Sequence, residues 1–357
     1  MSFFKRIDYL LLAPVVGLIG ISLSIIFSTT PALFAQQLIF AIIGFILFLA
    51  FSSIDFRIWP KFFWFFYSLT LVLLLVTFLG QEVRGSSRWI DFGWFRLQPS
   101  ELIKPFFVVI MAELFSKNYG RGWSKIIKPF LFLVPIVLLI FKQPDLGNVI
   151  VYLFIFAVCI LLSEIPFGSL MLGAGSLFLL FPIAWNFMKQ YQKTRISSFL
   201  DPKSDPAGAG YNALQAIIAI GSGRLFGLGF GRGTQSHLLF LPEYHTDFVF
   251  ASIGEELGFL GAFLILCFYF VLLGRILQIA SRLNNRFARL LAIGIFAQIF
   301  IQVFINIGMN LGMLPITGIT LPLLSYGGSS IISTFIGLGI VSNIGKSTRS
   351  ETPIEIK

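Results

Sequence analysis

The stretch 10–28, LLLAPVVGLIGISLSIIFS, carries no charged residue along its whole length. A helix that crosses the hydrocarbon core of a bilayer needs about 20 apolar residues, so this stretch is long enough to span a membrane. Lys5 and Arg6 precede it, as in a signal peptide, but the apolar run is too long for one and lacks a small-x-small cleavage signal. A second apolar stretch, 33–52, follows at once, and we interpret both as retained transmembrane helices.

The composition of the whole chain is that of a polytopic membrane protein. Of its 357 residues, 57% are hydrophobic and 12% are charged, and the mean hydropathy is +0.89. Soluble domains carry about 25% charged residues. We predict an all-α integral membrane protein with ten transmembrane helices in a single domain, residues 1–357. The predicted spans are 10–28, 33–52, 62–79, 101–116, 127–142, 146–163, 168–188, 248–273, 287–309 and 319–344.

The distribution of Lys and Arg among the predicted connections indicates the orientation. With a cytoplasmic N-terminus, 15 of the 26 basic residues fall on the cytoplasmic side and 10 on the outer side, which agrees with the positive-inside rule. Ten helices then place the C-terminus in the cytoplasm too. The long connection 189–247, between the seventh and eighth helices, becomes a large extracytoplasmic loop. Its basic side chains suit an anionic ligand on the outer face.

Several kinds of site are excluded by the residues present. Cys159 and Cys267 lie inside apolar runs and are predicted to be packed thiols rather than a disulfide. His237 and His245 are the only histidines, so no cluster of His and Cys can form a zinc site. The glycines of 221–233 follow no predicted strand, which argues against a nucleotide site. We expect them to allow close backbone packing or a bend at the membrane surface.

The stretch 84–105, RGSSRWIDFGWFRLQPSELIKP, brings charges to the start of the fourth predicted helix. Glu101 and Lys104 are three residues apart and therefore share a helix face. One interpretation is a structural ion pair that lets both charges enter the membrane. The other is that Lys104, with Arg88 and Arg96, forms a basin for phosphate groups, because charges inside a span are functional candidates.

Three further stretches have structural interpretations. In 142–148, KQPDLGN, Asp145 is predicted to form a turn and start a helix; a role in the outer site is the alternative. The sequence of 211–220 predicts a short interfacial helix. The small residues of 322–330, PLLSYGGSS, are predicted to allow close helix packing within the last span.

An acidic cluster lies where the long outer loop meets the eighth predicted helix, in 241–250, LPEYHTDFVF. Thr246 or Asp247 could cap that helix, with the carboxylate near the positive end of the helix dipole. A cap alone does not require Glu243 and His245 beside it. A carboxylate that is partly desolvated at an interface has the properties of a general base, and Asp247 is our candidate for one.

Glu255 and Glu256 lie deeper in the same predicted helix. Asp247 and Glu255 would be about 12 Å apart along the axis and rotated by about 80°. That geometry does not match the paired carboxylates of a glycosidase. We therefore predict that both glutamates are buried, paired structural charges.

Six motifs, taken in order, closely resemble one family over nearly the whole chain. They are RWI…QPSELIK, QPDLG, FLDP…DPAGAGY, AIGSG, PEYHTDFVFASIGEELG and LPLLSYGGSS. Together they resemble the SEDS family (shape, elongation, division and sporulation) of bacterial membrane proteins. The stretches GTQSHLLFLPEYHTDF and QVFINIGMNLGMLPITGI resemble the elongation branch, typified by RodA, more than the division branch, typified by FtsW.

The resemblance implies an enzyme that polymerises lipid II into glycan strands at the outer face of the cytoplasmic membrane. Asp247 matches the family's catalytic aspartate and would act as the general base of an inverting transfer. Undecaprenyl pyrophosphate would be the leaving group, held by cations with or without a divalent ion (Mg²⁺ or Mn²⁺). The residues expected to bind substrate are Arg88, Trp89, Arg96, Glu101, Lys104, Arg195 and His245.

The resemblance also implies partners and leaves alternatives open. The expected partners are lipid II, the nascent glycan strand, membrane lipid and a class B penicillin-binding protein that acts as transpeptidase; no nucleic acid is expected. The alternatives are a lipid II flippase, a division-specific polymerase and a non-catalytic scaffold. A transporter with inverted repeats would have broken helices at the midplane of the membrane, and no internal repeat is visible in this sequence.

Overall fold

The computed structural model describes residues 8–80, 88–117, 124–163, 185–186, 188–201 and 208–351. These residues form helices almost throughout, with one short antiparallel hairpin. The α-helices are α1 (Tyr9–Thr29), α2 (Pro31–Ser53), α3 (Phe63–Val76), α4 (Pro99–Leu102), α5 (Lys104–Ser116), α6 (Ser124–Lys142), α7 (Leu146–Leu161), α8 (Gln190–Leu200), α9 (Ala209–Ser222), α10 (Thr234–His237), α11 (Val249–Ser281), α12 (Arg286–Asn310) and α13 (Gly328–Glu351). Turns of 3₁₀ helix, Phe56–Phe62 and Thr77–Leu79, flank α3, and the hairpin pairs β1 (Ile90–Asp91) with β2 (Arg96–Leu97).

Six helical segments of the described chain are long and apolar enough to cross a membrane, which confirms a helical, multi-pass membrane protein. The other four predicted spans, the fourth to the seventh, are not among these six segments. The fourth, fifth and sixth correspond to α5, α6 and the shorter apolar α7. The seventh, 168–188, lies almost wholly outside the described residues, so the count of ten stays a prediction. The six segments are Tyr9–Thr29, Pro31–Ser53, Phe56–Leu79, Val249–Ser281, Arg286–Asn310 and Gly328–Lys346.

Two of these helices form the centre of the bundle. In their most apolar stretches, 72% of the residues of α12 and 89% of those of α13 are buried, against 28–39% for the other four spans. Helix α12 packs against α5, α7, α11 and α13, and α13 packs closely on α2. Polar side chains on α12 are therefore enclosed by protein rather than lipid.

Several predicted helix boundaries are wrong. The eighth span was predicted to end at residue 273, but α11 continues to Ser281. The last span was predicted to begin at residue 319, but α13 begins at Gly328, and 311–327 is a loop whose backbone is bonded by side chains such as Ser325 and Asn306. The fourth span is interrupted at Ile103, between α4 and α5. Pro105 has no N–H to continue the ladder of α4, so a new helix starts there.

Helix α11 is broken at Gly258, whose φ of +68° lies in the left-handed region. The break exposes backbone groups that pair with the outer loop: Leu228 N donates to Glu255 O at 2.9 Å, and Phe259 N donates to Arg224 O at 2.9 Å. A Cβ on Gly223 would lie 1.8 Å from Gly254 O, and one on Gly258 2.2 Å from Gly227 N. The prediction of close backbone packing is confirmed for Gly223 and Gly227, whereas a Cβ on Gly221 or Gly231 would meet no atom within 4 Å. The predicted helix over 211–220 is also present, as α9.

Candidate active site

Asp247 lies in a series of turns that ends where α11 begins. Its N–H donates to Glu243 O at 3.1 Å, as do the N–H groups of Thr246 at 3.1 Å and Phe248 at 3.2 Å. Phe248 is the N-cap residue of α11, and its own side chain makes no capping hydrogen bond. The prediction that Thr246 or Asp247 caps this helix is wrong. These three backbone N–H groups converge on the Glu243 carbonyl before the helix starts. The half-buried Asp247 carboxylate therefore does not cap the helix.

Arg195 of α8 approaches Asp247 across Gly318. A Cβ built on Gly318 would lie 3.5 Å from Asp247 Oδ2 and 3.6 Å from Arg195 Nη1. Arg195 Nη1 also donates to Ile316 O at 3.4 Å. With its φ of +76°, Gly318 adopts a conformation that disfavours other residues. The Asp247 carboxylate and the Arg195 guanidinium therefore both border Gly318.

Arg88 is the second cation that acts on Asp247. It is half-buried, and its buried Nε has no hydrogen-bond partner within the described part of the chain. A buried donor without a partner is unfavourable and suits an anionic ligand that would complete it. We call Asp247, Arg88, Arg195 and Glu243 the outer centre.

The pKa of the Asp247 carboxyl is raised above its usual value. Burial is the main cause, because it disfavours the charged form, and the negative charge of Glu243 adds to it. The positive charges of Arg195 and Arg88 and a hydrogen bond from Thr246 act in the opposite direction. A carboxylate with a raised pKa is a stronger base than an exposed one, which favours proton transfer to it.

Arg96 and Trp89 lie at the hairpin. Arg96 Nε donates to Asp91 Oδ2 at 3.0 Å, and both side chains are about half exposed, at 55% and 47%. The Gly93 N–H also donates to the Asp91 carboxylate, which lowers its pKa together with Arg96. Trp89 precedes β1 and is half-buried. The structure thus places Arg96 in a surface ion pair rather than among the charges that act on Asp247.

Glu101 and Lys104 form the predicted pair on one face, with Lys104 Nζ 2.6 Å from Glu101 Oε1. Lys104 is fully buried and Glu101 is 3% exposed. When the Gln302 amide is oriented to satisfy both its ends, its oxygen accepts from Lys104 Nζ at 2.9 Å, and its nitrogen donates to Gln298 O. The predicted ion pair is therefore present. The structure does not bring Lys104 together with Arg88 or Arg96.

Asp145 caps α7, as predicted, with Oδ1 accepting from Asn148 N at 3.3 Å. Its other oxygen accepts from Gln98 Nε2 at 2.8 Å, from Ser100 Oγ at 3.0 Å and from Asn148 Nδ2 at 2.8 Å. Asp145 also acts electrostatically on Lys104. We call Glu101, Lys104 and Asp145 the inner centre.

His245, two residues before Asp247, lies between two aromatic rings. Its ring centroid is 5.1 Å from that of Tyr244 and 5.8 Å from that of Tyr326. Burial raises the pKa of the Tyr326 hydroxyl, so this phenol stays protonated and can donate. The His245 ring is therefore flanked by the rings of Tyr244 and Tyr326.

Glu255 and Glu256 have the structural roles that the sequence predicts. Glu255 Oε1 accepts from Gln235 N at 2.8 Å, at the start of α10. Glu256 Oε1 lies 2.9 Å from His237 Nε2 and accepts from Ser28 Oγ at 2.9 Å. Both are fully buried. Their partners fasten the outer loop to α11, so neither is available as a second acid or base for Asp247.

Sequence reasoning missed the residues that hold the backbone of Asp247. The Asp247 carbonyl accepts from Asn306 Nδ2 at 3.0 Å and from Asn310 Nδ2 at 3.1 Å. The Thr246 carbonyl accepts from Ser325 Oγ at 2.6 Å. A signal was present: in the part of α12 after Arg289, polar amides recur at every fourth position of an otherwise apolar sequence.

The sequence matches a family model and many curated proteins. The family model FtsW/RodA/SpoVE, described as "Cell cycle protein", matches residues 4–350. The chain is 34% identical to the probable peptidoglycan glycosyltransferase FtsW of Trichlorobacter lovleyi, covering 94% of this chain and 92% of that one. It is 36% identical to the peptidoglycan glycosyltransferase MrdB of Escherichia coli, covering 84% and 82%.

Solved structures share the fold over nearly the full length. One chain belongs to a structure described as the structural coordination of polymerization and crosslinking by a peptidoglycan synthase complex. It has a TM-score of 0.83 and 31% identity, and the match covers 96% of this chain and 98% of that one. The Thermus thermophilus rod shape determining protein RodA has a TM-score of 0.72 and 28% identity, with 95% and 97% covered. This chain therefore belongs to the FtsW/RodA/SpoVE family of cell cycle proteins.

Proposed function

We propose that this chain is a peptidoglycan glycosyltransferase that polymerises lipid II into glycan strands for cell-wall elongation and cell shape. The names of its relatives in T. lovleyi and E. coli support the activity. The observation that carries the mechanism is the half-buried Asp247 carboxylate, whose pKa is raised, flanked by Arg195 and Arg88 at the start of a membrane span.

In the proposed reaction, Asp247 accepts the proton of the C4 hydroxyl on the acceptor's N-acetylglucosamine. That oxygen attacks C1 of the donor's N-acetylmuramic acid and forms the new glycosidic bond with inversion from α to β. The bond between C1 and the phosphate oxygen breaks, and undecaprenyl pyrophosphate leaves with the electron pair. One base suffices because the diphosphate, when cations bind it, leaves without being protonated. A positioned base contributes roughly 10²–10⁴ in rate.

Arg195 and Arg88 are the proposed ligands of the donor diphosphate. Arg88 has a buried Nε with no partner in the described residues, and Arg195 lies across Gly318 from the base. Guanidinium groups bind phosphate oxygens through paired hydrogen bonds, and they stabilise charge that develops on a leaving group. A diphosphate at this place would complete the outer centre.

The other predicted substrate residues receive different proposed roles. Trp89, Arg96 and His245 would contact the sugars or peptide at the rim of the site, since all three are exposed or half-buried and lie outside the long helices. Glu101 and Lys104 are enclosed. We propose that they support the reaction by holding α4, α5 and α12 together.

A divalent cation is compatible with the outer centre only with help from substrate. Within the described residues, no group of three or more His, Cys, Asp or Glu side chains could hold a metal. Asp247 and Glu243 are the nearby carboxylates, and the donor diphosphate would supply the remaining oxygen ligands that Mg²⁺ or Mn²⁺ prefers. Such an ion would neutralise charge on the leaving group.

The setting of the reaction is also part of the proposal. Ten spans with cytoplasmic termini would place 189–247 and the outer centre on the extracytoplasmic face of the bacterial cytoplasmic membrane. The partner would be a class B penicillin-binding protein that cross-links the new strands. The likeness to a chain from a structure described as a peptidoglycan synthase complex supports such a partner.

The test uses the purified protein with its cognate transpeptidase, supplied with lipid II. Wild type should make glycan strands, and Asp247→Asn should lower the rate by roughly 10²–10⁴ while the protein inserts and melts normally. The matched control is Asp55→Asn, since Asp55 accepts from Arg57 N at a distant 3₁₀ turn and asparagine can do the same.

Each outcome separates the candidate functions. Strands made by Asp247→Asn at the wild-type rate would show that Asp247 is not the base. A wild-type complex that folds and assembles but makes no strands would favour a lipid II flippase or a scaffold. Activity confined to a division-specific transpeptidase would assign the chain to division rather than elongation.

A further inference from the structure

Four amide side chains recur at every fourth position of α12. They are Gln298, Gln302, Asn306 and Asn310, and each is 0–1% exposed. A spacing of four places them on one face of the helix. Polar side chains inside a membrane span are unfavourable and mark sites of function. Packing alone does not account for this row of amides.

The outer end of the row binds the backbone at the base. Asn306 Nδ2 donates to Asp247 O at 3.0 Å and to Ile319 O at 2.7 Å. Asn310 Nδ2 donates to the same Asp247 carbonyl at 3.1 Å, while its Oδ1 accepts from Ala251 N at 3.1 Å. The Asp247 carbonyl is thus bound by two amides from another helix.

The two preceding carbonyl groups are bound as well. The Thr246 carbonyl accepts from Ser325 Oγ at 2.6 Å, and the His245 carbonyl accepts from Tyr326 N at 2.8 Å. Three consecutive carbonyl groups before α11 are therefore bound by α12 and by the loop 311–327. This backbone cannot shift without breaking several buried hydrogen bonds.

Asn306 connects the two sides of the outer centre. Its first acceptor belongs to Asp247, and its second, Ile319 O, follows Gly318, the residue that separates the Asp247 carboxylate from Arg195. A single amide group thus sets the separation between the base and the segment on which Arg195 also hydrogen-bonds. Catalytic groups need their positions held to about 0.5 Å.

We propose that Asn306 is a positioning residue for the glycosyl transfer, with Asn310 in support. It ties the backbone of Asp247 to that of the segment 316–319 and so fixes the carboxylate relative to Arg195. The inference rests on the proposed function, since it concerns the same base. It assigns a role to α12 that the charged residues of the site do not reveal.

The test compares Asn306→Leu with Gln298→Met. Leucine has the same number and branching of side-chain heavy atoms as asparagine but donates neither bond. A misplacement of about 1 Å can lower a rate by about 10²-fold, so kcat for strand synthesis should fall by 10- to 100-fold, with the KM for lipid II within about twofold of wild type. Gln298 is an equally buried amide two turns away that donates to Ser333 Oγ at 3.4 Å, so Gln298→Met should keep the wild-type kcat.

The pH profile supplies a readout that a merely structural role would not change. Burial is the main cause of the raised pKa of Asp247. A carboxylate that is released from its position gains water, which lowers its pKa, and moves away from Arg195, which raises it. Burial is the larger influence, so in Asn306→Leu the acid limb of kcat/KM should move to lower pH. Gln298→Met should leave the limb where it is in the wild type.

Several results would overturn the inference: a wild-type kcat in Asn306→Leu, an equal fall in Gln298→Met, or a fall in kcat with an unmoved acid limb. If Asn306→Leu does not fold, Asn306→Ser keeps a single donor and should show the same fall in kcat at unchanged KM; an unchanged kcat would overturn the inference. An active Asn306→Leu beside an inactive Asp247→Asn refutes this inference alone, whereas an active Asp247→Asn refutes the proposed function.

Discussion

The outer and inner centres contain the same kinds of charge but differ in how completely those charges are paired. In the inner centre, Lys104 lies 2.6 Å from Glu101, and three neutral side chains donate to one oxygen of Asp145. In the outer centre, the Asp247 carboxylate is half-buried, and the buried Nε of Arg88 has no partner in the described residues. The inner centre is complete without substrate, whereas the outer centre is not.

The difference shows which charges within a membrane protein are available for chemistry. Buried charges persist when hydrogen bonds and opposite charges satisfy them, and such networks specify structure. An incompletely satisfied cation beside a half-buried carboxylate is unfavourable until an anionic ligand arrives. The charges most deeply placed in the bundle are therefore less suited to bind substrate than those at the mouth of α11.

The two centres share one wall. Gly318 borders the Asp247 carboxylate, and the side chain of its neighbour Ile319 packs against Gly147 at the start of α7, where Asp145 is the cap. The segment 316–319 thus contacts the outer centre on one side and the helix of the inner centre on the other. A change in the inner centre can reach the outer one through this segment, which makes mutations of each centre informative about the other.

Breaking the inner pair should give the largest effect on stability. Lys104→Met leaves Glu101 buried without its cation, and removing one partner of a buried ion pair destabilises a protein by about 3–5 kcal/mol. We expect a large loss of folded protein and a lower Tm in detergent. The double variant Glu101→Gln with Lys104→Met removes both charges and should recover most of the Tm.

The double variant also tests the division of roles between the two centres. If the inner pair is structural, the recovered protein should make glycan strands at a rate close to wild type. A double variant that is stable but inactive would mean that Glu101 or Lys104 takes part in the reaction, and the contrast between the centres would fail.

Much of this architecture follows from local pattern. Hydropathy predicts all six long spans, because a bilayer demands long apolar helices, but it misplaces the start of α13 and ends α11 eight residues before Ser281. The spacing of Glu101 and Lys104 predicts their pairing, and Asp145 before a glycine predicts its cap. The glycines of 221–233 predict close packing, although not that their partner is the break in α11 at Gly258.

The remainder depends on contacts between distant parts of the chain. Nothing local to Lys104 indicates that Gln302, almost two hundred residues later, completes its enclosure. Asp247 has the sequence context of a helix cap, yet the Glu243 carbonyl takes the N–H groups that precede α11. The loop before α13 is apolar enough to be part of a span, but Ser325 and Asn306 bind its backbone. Pairing across the bundle decides these cases, and sequence periodicity does not record it.

Removing Arg195 should affect the rate without affecting stability. Loss of one group that stabilises developing charge lowers kcat by about 10²–10³-fold, so Arg195→Gln should make glycan strands at that reduced rate with an unchanged Tm. Lys193→Gln is the matched control on the same helix, because Lys193 lies over the Trp185 ring, 5.9 Å from its centroid. Equal losses in the two variants would show that general positive charge on α8, rather than Arg195, serves the reaction.

The smallest predicted effect is a shift in the pH profile of the outer centre. Asp247 must be ionised to act as a base, so kcat/KM should fall as the pH drops through its pKa, which burial holds above the usual range. Arg195 and Arg88 lower this pKa, with Arg195 the stronger influence, and Glu243 raises it. The acid limb should therefore move to higher pH in Arg195→Gln, and by less in Arg88→Gln.

Glu243→Gln should shift the acid limb in the opposite direction, and so it is a control within the same pH profile. Removing its negative charge favours the ionised form of Asp247, and the acid limb should move to lower pH. The two arginine variants would then move the acid limb to higher pH, Arg195→Gln by more than Arg88→Gln, and Glu243→Gln would move it to lower pH. If all three moved it the same way, or none moved it, the titrating base would not lie among these charges. A different carboxylate would have to carry the reaction, and the contrast between the two centres would lose its chemical meaning.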